Sequence, residues 1–318
     1  MADKTNKIVS LTMNPSIDLS IKVRQVRPAD KLRGQITHRD PGGGGINVAR
    51  AIISLDGQAL AIFPAGGPAG TFLQDLLEAQ KVPCRIQEIS GINRENFTVF
   101  EEDSGHEYRF VLPGPELTKE EWQACLDLLA ALDPVPQYLV VSGSLPPGVP
   151  DDFYARVARW ARKAGARLVL DSSGAALKAA LDEGVYLVKP NRRELQDLSD
   201  RPIESDDDEV QFCQKMIADG QCEVIALTLG NEGAVLITAE KSRRVKAPEL
   251  ETKSSVGAGD SFVAGMVLGL VRELSLGKAF CYGNAAGAAA LLTPGTELCL
   301  KEDVEDLYVQ LCSAWLNP

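Results

Sequence analysis

Histidine is scarce in this chain: 318 residues include only two, His38 and His106. That argues against a histidine triad or a histidine-rich metal site, and each histidine reads as a strand surface residue. Paired cysteine is lacking too. The seven cysteines, at 84, 125, 213, 222, 281, 299 and 312, contain no C-x-x-C and cannot all pair, as expected of buried thiols in a reducing compartment. No G-x-x-x-x-G-K-[ST] occurs, which excludes a P-loop. Positive charge is in deficit: 33 Lys and Arg against 44 Asp and Glu give a net charge of −11, so neither nucleic acid nor an anionic membrane is an expected partner. Internal repeats and low-complexity linkers are absent. Residues 1–7 are mostly polar and lead into an apolar run too short for a signal h-region or a membrane span, so a cytoplasmic location is expected. Carboxylates, cations and backbone are left to carry the chemistry.

What is present is the composition of a folded α/β protein, 45% hydrophobic and 24% charged, long enough for a sizeable core. From residue 138 onward short β runs alternate with amphipathic helices: Tyr138–Ser142, a helix from Asp151 stopped by Gly165, Arg167–Asp171, a helix stopped by Gly184, then residues 186–189. This is the rhythm of a parallel sheet. The runs 186–188 and 224–227 are continuously apolar, as strands covered on both faces should be. Thr118 with Glu121 predicts a capping box, and Asp206-Asp207-Asp208 a solvated helix start. Three late helices are expected near 257–271, 276–292 and 301–311.

The first third departs from that rhythm. Segments 18–23, 31–39, 96–101 and 107–111 carry β-rich or alternating patterns, with Asp103-Ser104-Gly105 as a hairpin turn. They predict a small β-sheet lid made from two insertions, about 18–40 and 92–113, on a single domain spanning 1–318.

Four stretches point to a site. Ser254-Ser255-Val256-Gly257-Ala258-Gly259-Asp260 is a small-residue turn opening an apolar helix. Its backbone N–H groups and dipole suit a phosphoryl group, with Asp260 placed as general base; a merely dipole-friendly surface carboxylate is the bland alternative. Pro41-Gly42-Gly43-Gly44-Gly45-Ile46-Asn47 is a bare loop before a helix, suited to a polyol lying against main chain with Asn47 reaching hydroxyls, or else a flexible turn. The loop does not make a dinucleotide fingerprint, because it follows polar residues and no suitable acid answers it. Lys189-Pro190-Asn191-Arg192-Arg193-Glu194 ends a buried strand, where ligands of open α/β sheets collect. Lys189 could reach nucleotide phosphates, and Asn191 with Glu194, three apart, suit hydrated Mg²⁺. Thr228-Leu229-Gly230-Asn231-Glu232-Gly233 follows the next strand as a second wall of a nucleotide site. Finally Asp18 could hold sugar hydroxyls, and Lys31, Arg33 and Arg94 could fork a phosphate, unless they are solvated edge charges.

Together with Ser142-Gly143-Ser144-Leu145-Pro146-Pro147-Gly148 and Asp171-Ser172-Ser173-Gly174, these motifs resemble, in order and spacing over essentially the whole chain, the ribokinase-like (PfkB) carbohydrate kinases. Within that family the nearest likeness is to the type 2 6-phosphofructokinase branch. The resemblance implies a three-layer α/β/α Rossmann-like domain with a β-sheet lid, a homodimer through that lid, and transfer from MgATP to the 1-hydroxyl of fructose 6-phosphate. It maps Asp260 to the base and Gly257, Ala258 and Gly259 to an anion hole. Asp18, Gly43, Gly44, Asn47 and Ser144 map to sugar contacts, and Lys31, Arg33 and Arg94 to the sugar phosphate. Lys189, Asn191, Glu194, Thr228, Gly230, Gly233 and Asn284 fall on the MgATP side. Members acting on fructose 1-phosphate or tagatose 6-phosphate commonly carry G-G-K-G-I-N-V, where this chain has Gly44, which favours fructose 6-phosphate. A K⁺ loop is also implied, although Glu297 stands where close members have a basic residue. A nucleotide-sensing regulator and a nicotinamide oxidoreductase are the readings from other classes; the first is expected to lose Asp260, which is present.

Overall fold

The computed structural model describes residues 7–316; the reading of residues 1–6 as part of a polar leader lies outside them. β1 (Ile8–Leu11) is followed by an excursion through β2 (Ser16–Val23) and β3 (Gln35–Gly42), then α1 (Gly44–Ser54), β4 (Leu60–Ala65), α2 (Gly67–Ala79) and β5 (Cys84–Glu88). A second excursion makes β6 (Arg94–Glu101) and β7 (Glu107–Phe110). The chain then alternates through α3 (Lys119–Ala130), β8 (Tyr138–Ser142), α4 (Phe153–Ala164), β9 (Arg167–Asp171), α5 (Gly174–Leu181), β10 (Val185–Val188), α6 (Arg192–Leu198), α7 (Asp206–Ala218) and β11 (Cys222–Thr228). A hairpin, β12 (Ala234–Ile237) and β13 (Ser242–Val245), precedes the helices α8 (Ala258–Val271), α9 (Leu276–Ala290) and α10 (Lys301–Leu316).

The large sheet has the order β13-β12-β11-β10-β9-β8-β1-β4-β5. It is parallel from β11 to β5, while β12 and β13 close one edge antiparallel, a departure from the uniformly parallel rhythm. Side-chain alternation divides each strand between two cores: in β8, Val140 packs with α1, α2, α8, α9 and α10, whereas Leu139 and Val141 pack with α3 to α7. That division produces three layers. Local chemistry sets the helix ends as expected. Thr118 and Glu121 form a reciprocal capping box on α3, and Gly165 ends α4 in the left-handed conformation. α7 begins at Asp206 with Ser205 as its cap.

The two excursions meet as a four-stranded sheet of order β3-β2-β6-β7. Its third strand is shorter at the start than the pattern suggested: Lys31 to Gly34 is an exposed irregular segment, and β3 begins at Gln35. A bulge between Ser20 and Ile21 brings Ile36 opposite Ile21. Together with the pairs Ile21–Val99, Val99–Tyr108 and Phe97–Phe110, it lines up one apolar face. Ile36, Tyr108 and Phe110 on that face are exposed. None of the described helices is long and apolar enough to cross a membrane.

Candidate active site

Strands β1, β8, β9, β10 and β11 deliver their C-terminal ends to one edge of the large sheet, and α8 starts against that edge. Gly257 caps the helix with φ +77°, which lets the turn enter at an angle an L side chain resists. The first intrahelical bond runs from Ser261 N to Gly257 O, so the N–H groups of Ala258, Gly259 and Asp260 have no partner inside the helix. Lys189, at the end of β10, leans over them: a Cβ on Gly259 would stand 3.6 Å from its Nζ. The Lys189 ammonium is buried and pairs with Asp171 Oδ1 at 3.0 Å. Burial pulls its pKa down, but the Asp171 charge and hydrogen bond outweigh that and hold it above the ordinary lysine range. The ammonium thus stands beside three backbone donors that have no partner among the described residues.

Asp260 lies in the first turn of α8 and accepts from Asn47 Nδ2 at 2.9 Å and Ser142 Oγ at 3.5 Å. Burial, with Asp171 as a like charge nearby, pushes its carboxyl up to about 7, against the opposing pull of Asn47, Lys189 and Ser142. A carboxylate poised there is well matched to taking a proton near neutral pH. Asn47 reaches it because α1 begins immediately at the glycine run. Gly43 caps α1 at φ +109°, and a side chain at Gly44 would collide with Ser142. The bare loop is therefore a packing requirement, and it denies this chain a lysine at position 44 without a shift of the β8 end.

On the lid side, Asp18 Oδ1 accepts from Ser16 Oγ at 2.7 Å and Asn96 Nδ2 at 2.9 Å. Asp18 lines a shallow cavity with Asn96, Phe97, Thr98, Arg109, Phe110, Val111 and Thr296. Arg94 donates to Asn14 O and Leu112 O, both at 2.9 Å, where the chain enters and leaves the lid. Its buried Nε has no partner among the described residues. Asn14 also donates to Ser144 Oγ at 3.2 Å, which links Arg94 and Ser144 in one cluster. Lys31 and Arg33 remain apart, exposed in the loop before β3, and among the described residues neither makes an ion pair or side-chain hydrogen bond.

Among the residues expected on the nucleotide side, Asn191, Glu194 and Thr228 lie together at the ends of β10 and β11. Asn191 caps α6, and it and Glu194 bond each other reciprocally: Asn191 Oδ1 accepts from Glu194 N, and Glu194 Oε2 accepts from Asn191 N, both at 2.9 Å. Burial raises the Glu194 carboxyl pKa, with the nearby Lys189 charge opposing. Asn191 pairs with Thr228 across a single bridge, and Gly230 and Gly233 shape the tight 3₁₀ turn after β11 with φ of +60° and +100°. Asn284 lies on α9, its Nδ2 donating to Phe280 O at 2.9 Å.

Residues 4–303 match the model of the pfkB family carbohydrate kinases. The chain belongs to that family. This kinase is 44% identical over 302 residues to the ATP-dependent 6-phosphofructokinase isozyme 2 of Mycobacterium tuberculosis, covering 95% of this chain and 89% of that one. It is 41% identical over 306 residues to the isozyme 2 of Escherichia coli, covering 96% and 99%. The crystal structure of phosphofructokinase-2 from Escherichia coli in complex with potassium superposes with a TM-score of 0.93 at 40% identity, covering 97% of the kinase and all of that chain.

Several polar residues of the kinase site had no individual role in the sequence reading. Asp171 was visible only as part of a motif, yet it holds Lys189. Ser142 touches the base, and Asn96 bonds Asp18 and, through Oδ1, the Leu112 N–H at 3.1 Å. Arg50, Asp40 and Thr296 form a buried group behind Asn47. Each is an ordinary polar residue in its local sequence; only the long-range fold makes it informative.

Proposed function

We propose that this kinase transfers the γ-phosphoryl group of ATP to the 1-hydroxyl of fructose 6-phosphate, forming fructose 1,6-bisphosphate and ADP. The observation that carries the chemistry is Asp260, poised near neutrality beside three unpartnered backbone donors under Lys189. Similarity along the full length to kinases named 6-phosphofructokinase, and the exclusion of a side chain at Gly44, support the sugar. Asp18, Gly43, Asn47 and Ser144 orient the sugar, and Arg94, Lys31 and Arg33 take its 6-phosphate. The hydroxyl gives its proton to Asp260 as its oxygen attacks the γ-phosphorus and the bond to ADP breaks. The N–H groups of the α8 turn and Lys189 stabilise the charge on the transferring group. Thr228, Gly230, Gly233 and Asn284 belong to the nucleotide side.

Mg²⁺ enters with ATP. The donor set fits such an ion: one half-buried carboxylate, Glu194, beside Asn191, and no cluster of three acidic, histidine or cysteine ligands among the described residues. That suits a cation held chiefly by phosphates and water, which neutralises phosphate charge when bound. K⁺ is a further cofactor on this reading, as in the potassium complex of the Escherichia coli protein. Residues 1–318 act as one kinase domain, lidded from 18–40 and 92–113, in the cytoplasm. Two copies pair through the apolar lid face bearing Ile21, Ile36, Val99, Tyr108 and Phe110, a surface unusual for a soluble monomer.

ADP release measured with fructose 6-phosphate, fructose 1-phosphate, tagatose 6-phosphate and unphosphorylated sugars tests the assignment. The highest kcat/KM should belong to fructose 6-phosphate; preference for either other phosphosugar replaces the substrate, and ATP binding without turnover leaves a regulatory protein.

A further inference from the structure

Behind the base lies a buried cation that the phosphoryl-transfer scheme does not use. Arg50, on α1, is 8% exposed, and all three of its guanidinium nitrogens are engaged. Nε donates to Gln80 Oε1 at 2.7 Å, Nη2 to Asp40 Oδ1 at 3.1 Å, and Nη1 to Pro41 O at 2.8 Å and Asn47 Oδ1 at 3.1 Å. The other Asp40 oxygen accepts from Thr296 Oγ1 in the loop after α9. The contacts to Asp40 and Pro41 pin the end of β3 onto α1, and the contact to Gln80 ties in the end of α2. The fourth, to Asn47, is not needed for that.

We propose that Arg50 is a positioning residue for the base: its bond to Asn47 Oδ1 locks the Asn47 amide so that Nδ2, and never the oxygen, faces Asp260. The inference rests on the reading of Asp260 as base. A guanidinium has only donors, so it can face only the carbonyl end of the amide. With that end fixed, the NH₂ must point to Asp260 Oδ2, 2.9 Å away. Turned over, the amide would present its oxygen to the carboxyl group, a contact that is satisfied only when Asp260 carries a proton. The locked orientation therefore favours the ionised base that accepts the hydroxyl proton; the opposite one would hold the base in its useless form.

The polar and charged groups acting on Asp260 are Asn47 from α1, Ser142 from β8, Asp171 from β9 and Lys189 from β10, with Arg50 of α1, Asp18 of β2 and Asp40 of β3 behind them. Burial disfavours the Arg50 charge, and Asp40, Asp18 and Asp260 restore part of it. Asp171 opposes ionisation of the base, and the Asn47 bond and Lys189 favour it.

The decisive measurement is the titration of Asp260 in the ligand-free protein, followed by NMR of ¹³C-labelled aspartate carboxyls and assigned with Asp260→Asn. Arg50→Met strands Asp40 in the interior and could unfold the protein, so it is combined with Asp40→Asn and compared with Asp40→Asn alone. Loss of the lock should raise the Asp260 midpoint by about one unit, with an equal shift in the acid limb of kcat/KM, about a tenfold loss of activity below it. Arg50→Lys should fall between the double variant and wild type. An unmoved midpoint in a folded double variant overturns the proposal. So does an equal shift when Asn47 is already alanine, because Arg50 would then act by charge alone. The titration needs no sugar, so a wrong substrate assignment would show in the ADP assay and leave this result intact.

Discussion

The two walls of the cleft are built on opposite terms. The base wall is assembled in advance: Asn47 and Ser142 each donate to Asp260, Lys189 is clamped by Asp171, and Arg50 is enclosed by Asp40, Gln80, Pro41 and Asn47. The lid wall is loosely furnished, with Lys31 and Arg33 exposed, Arg94 holding hinge carbonyls, and Phe110 at 54% exposure. Groups that meet developing charge gain from being fixed beforehand, because no reorganisation is needed at the moment of reaction. Groups that admit and release a charged sugar cannot all be fixed. On the proposed reading, the base wall governs the rate and the lid governs substrate affinity.

Breaking the base wall should have the largest effect. Asp260→Asn is expected to lower kcat by ~10²–10⁴ while leaving ATP and sugar-phosphate binding nearly unchanged. Turnover within a few-fold of wild type would reduce Asp260 to a helix cap.

On the lid side, Arg94→Ala should raise the sugar-phosphate KM roughly ten- to a hundredfold, the worth of a lost charge-assisted bond, with far less effect on the ATP KM. A larger rise in the ATP KM would move Arg94 to the other wall. A charge on the apolar lid face, Val99→Asp or Phe110→Asp, should give a folded but weakly active monomer by light scattering. Full activity in such a monomer would remove the partner from the lid's function.

The smallest expected effect sharpens the electrostatics. With Asp260 raised to about 7, kcat/KM of the free kinase should fall as pH drops through that value, since the protonated carboxyl cannot accept a proton. Asp171→Asn removes the like charge and frees Lys189, so the limb should move to lower pH by about one unit. Movement to higher pH would mean that Asp171 acts mainly by orienting Lys189 near the base.

Legibility in the sequence followed the range of the interaction. The α3 capping box, the Gly165 stop and the turn at Asp103-Ser104-Gly105 are local, and each could be read from a few neighbouring letters. Asp260 was legible because a small-residue turn before an apolar helix is itself a local pattern. Asn191 and Glu194 illustrate ambiguity: the spacing that suggested metal ligands is also that of a capping box, and the fold uses it as one. Lys31 and Arg33 were placed on a strand, but β3 begins only after Gly34. There a Cβ would press on Ile21, a contact that local alternation cannot reveal. Asp171 could be read only as part of a motif, and Asn96, Arg50, Asp40 and Thr296 carry no local signal; Thr296 and Asp40 are 256 residues apart.

That separation also orders events during synthesis. The lid sheet is complete in sequence by Phe110, when the large sheet has only β1, β4 and β5. β1 still lacks its other neighbour, β8. α1 is sandwiched between the large sheet and α8, which arrives more than two hundred residues later: Asn47 and Asp260 are 213 apart. A nascent chain of this kinase thus completes the lid sheet long before α8 is made, with an interval in which the surface of α1 that meets α8 stands open. Contacts of such range slow folding and invite association of incomplete chains. Docking of α8 onto α1 joins Asp260 to Asn47, so the chain acquires that pairing only after most of it has been made, with α9 and α10 still to pack behind α8.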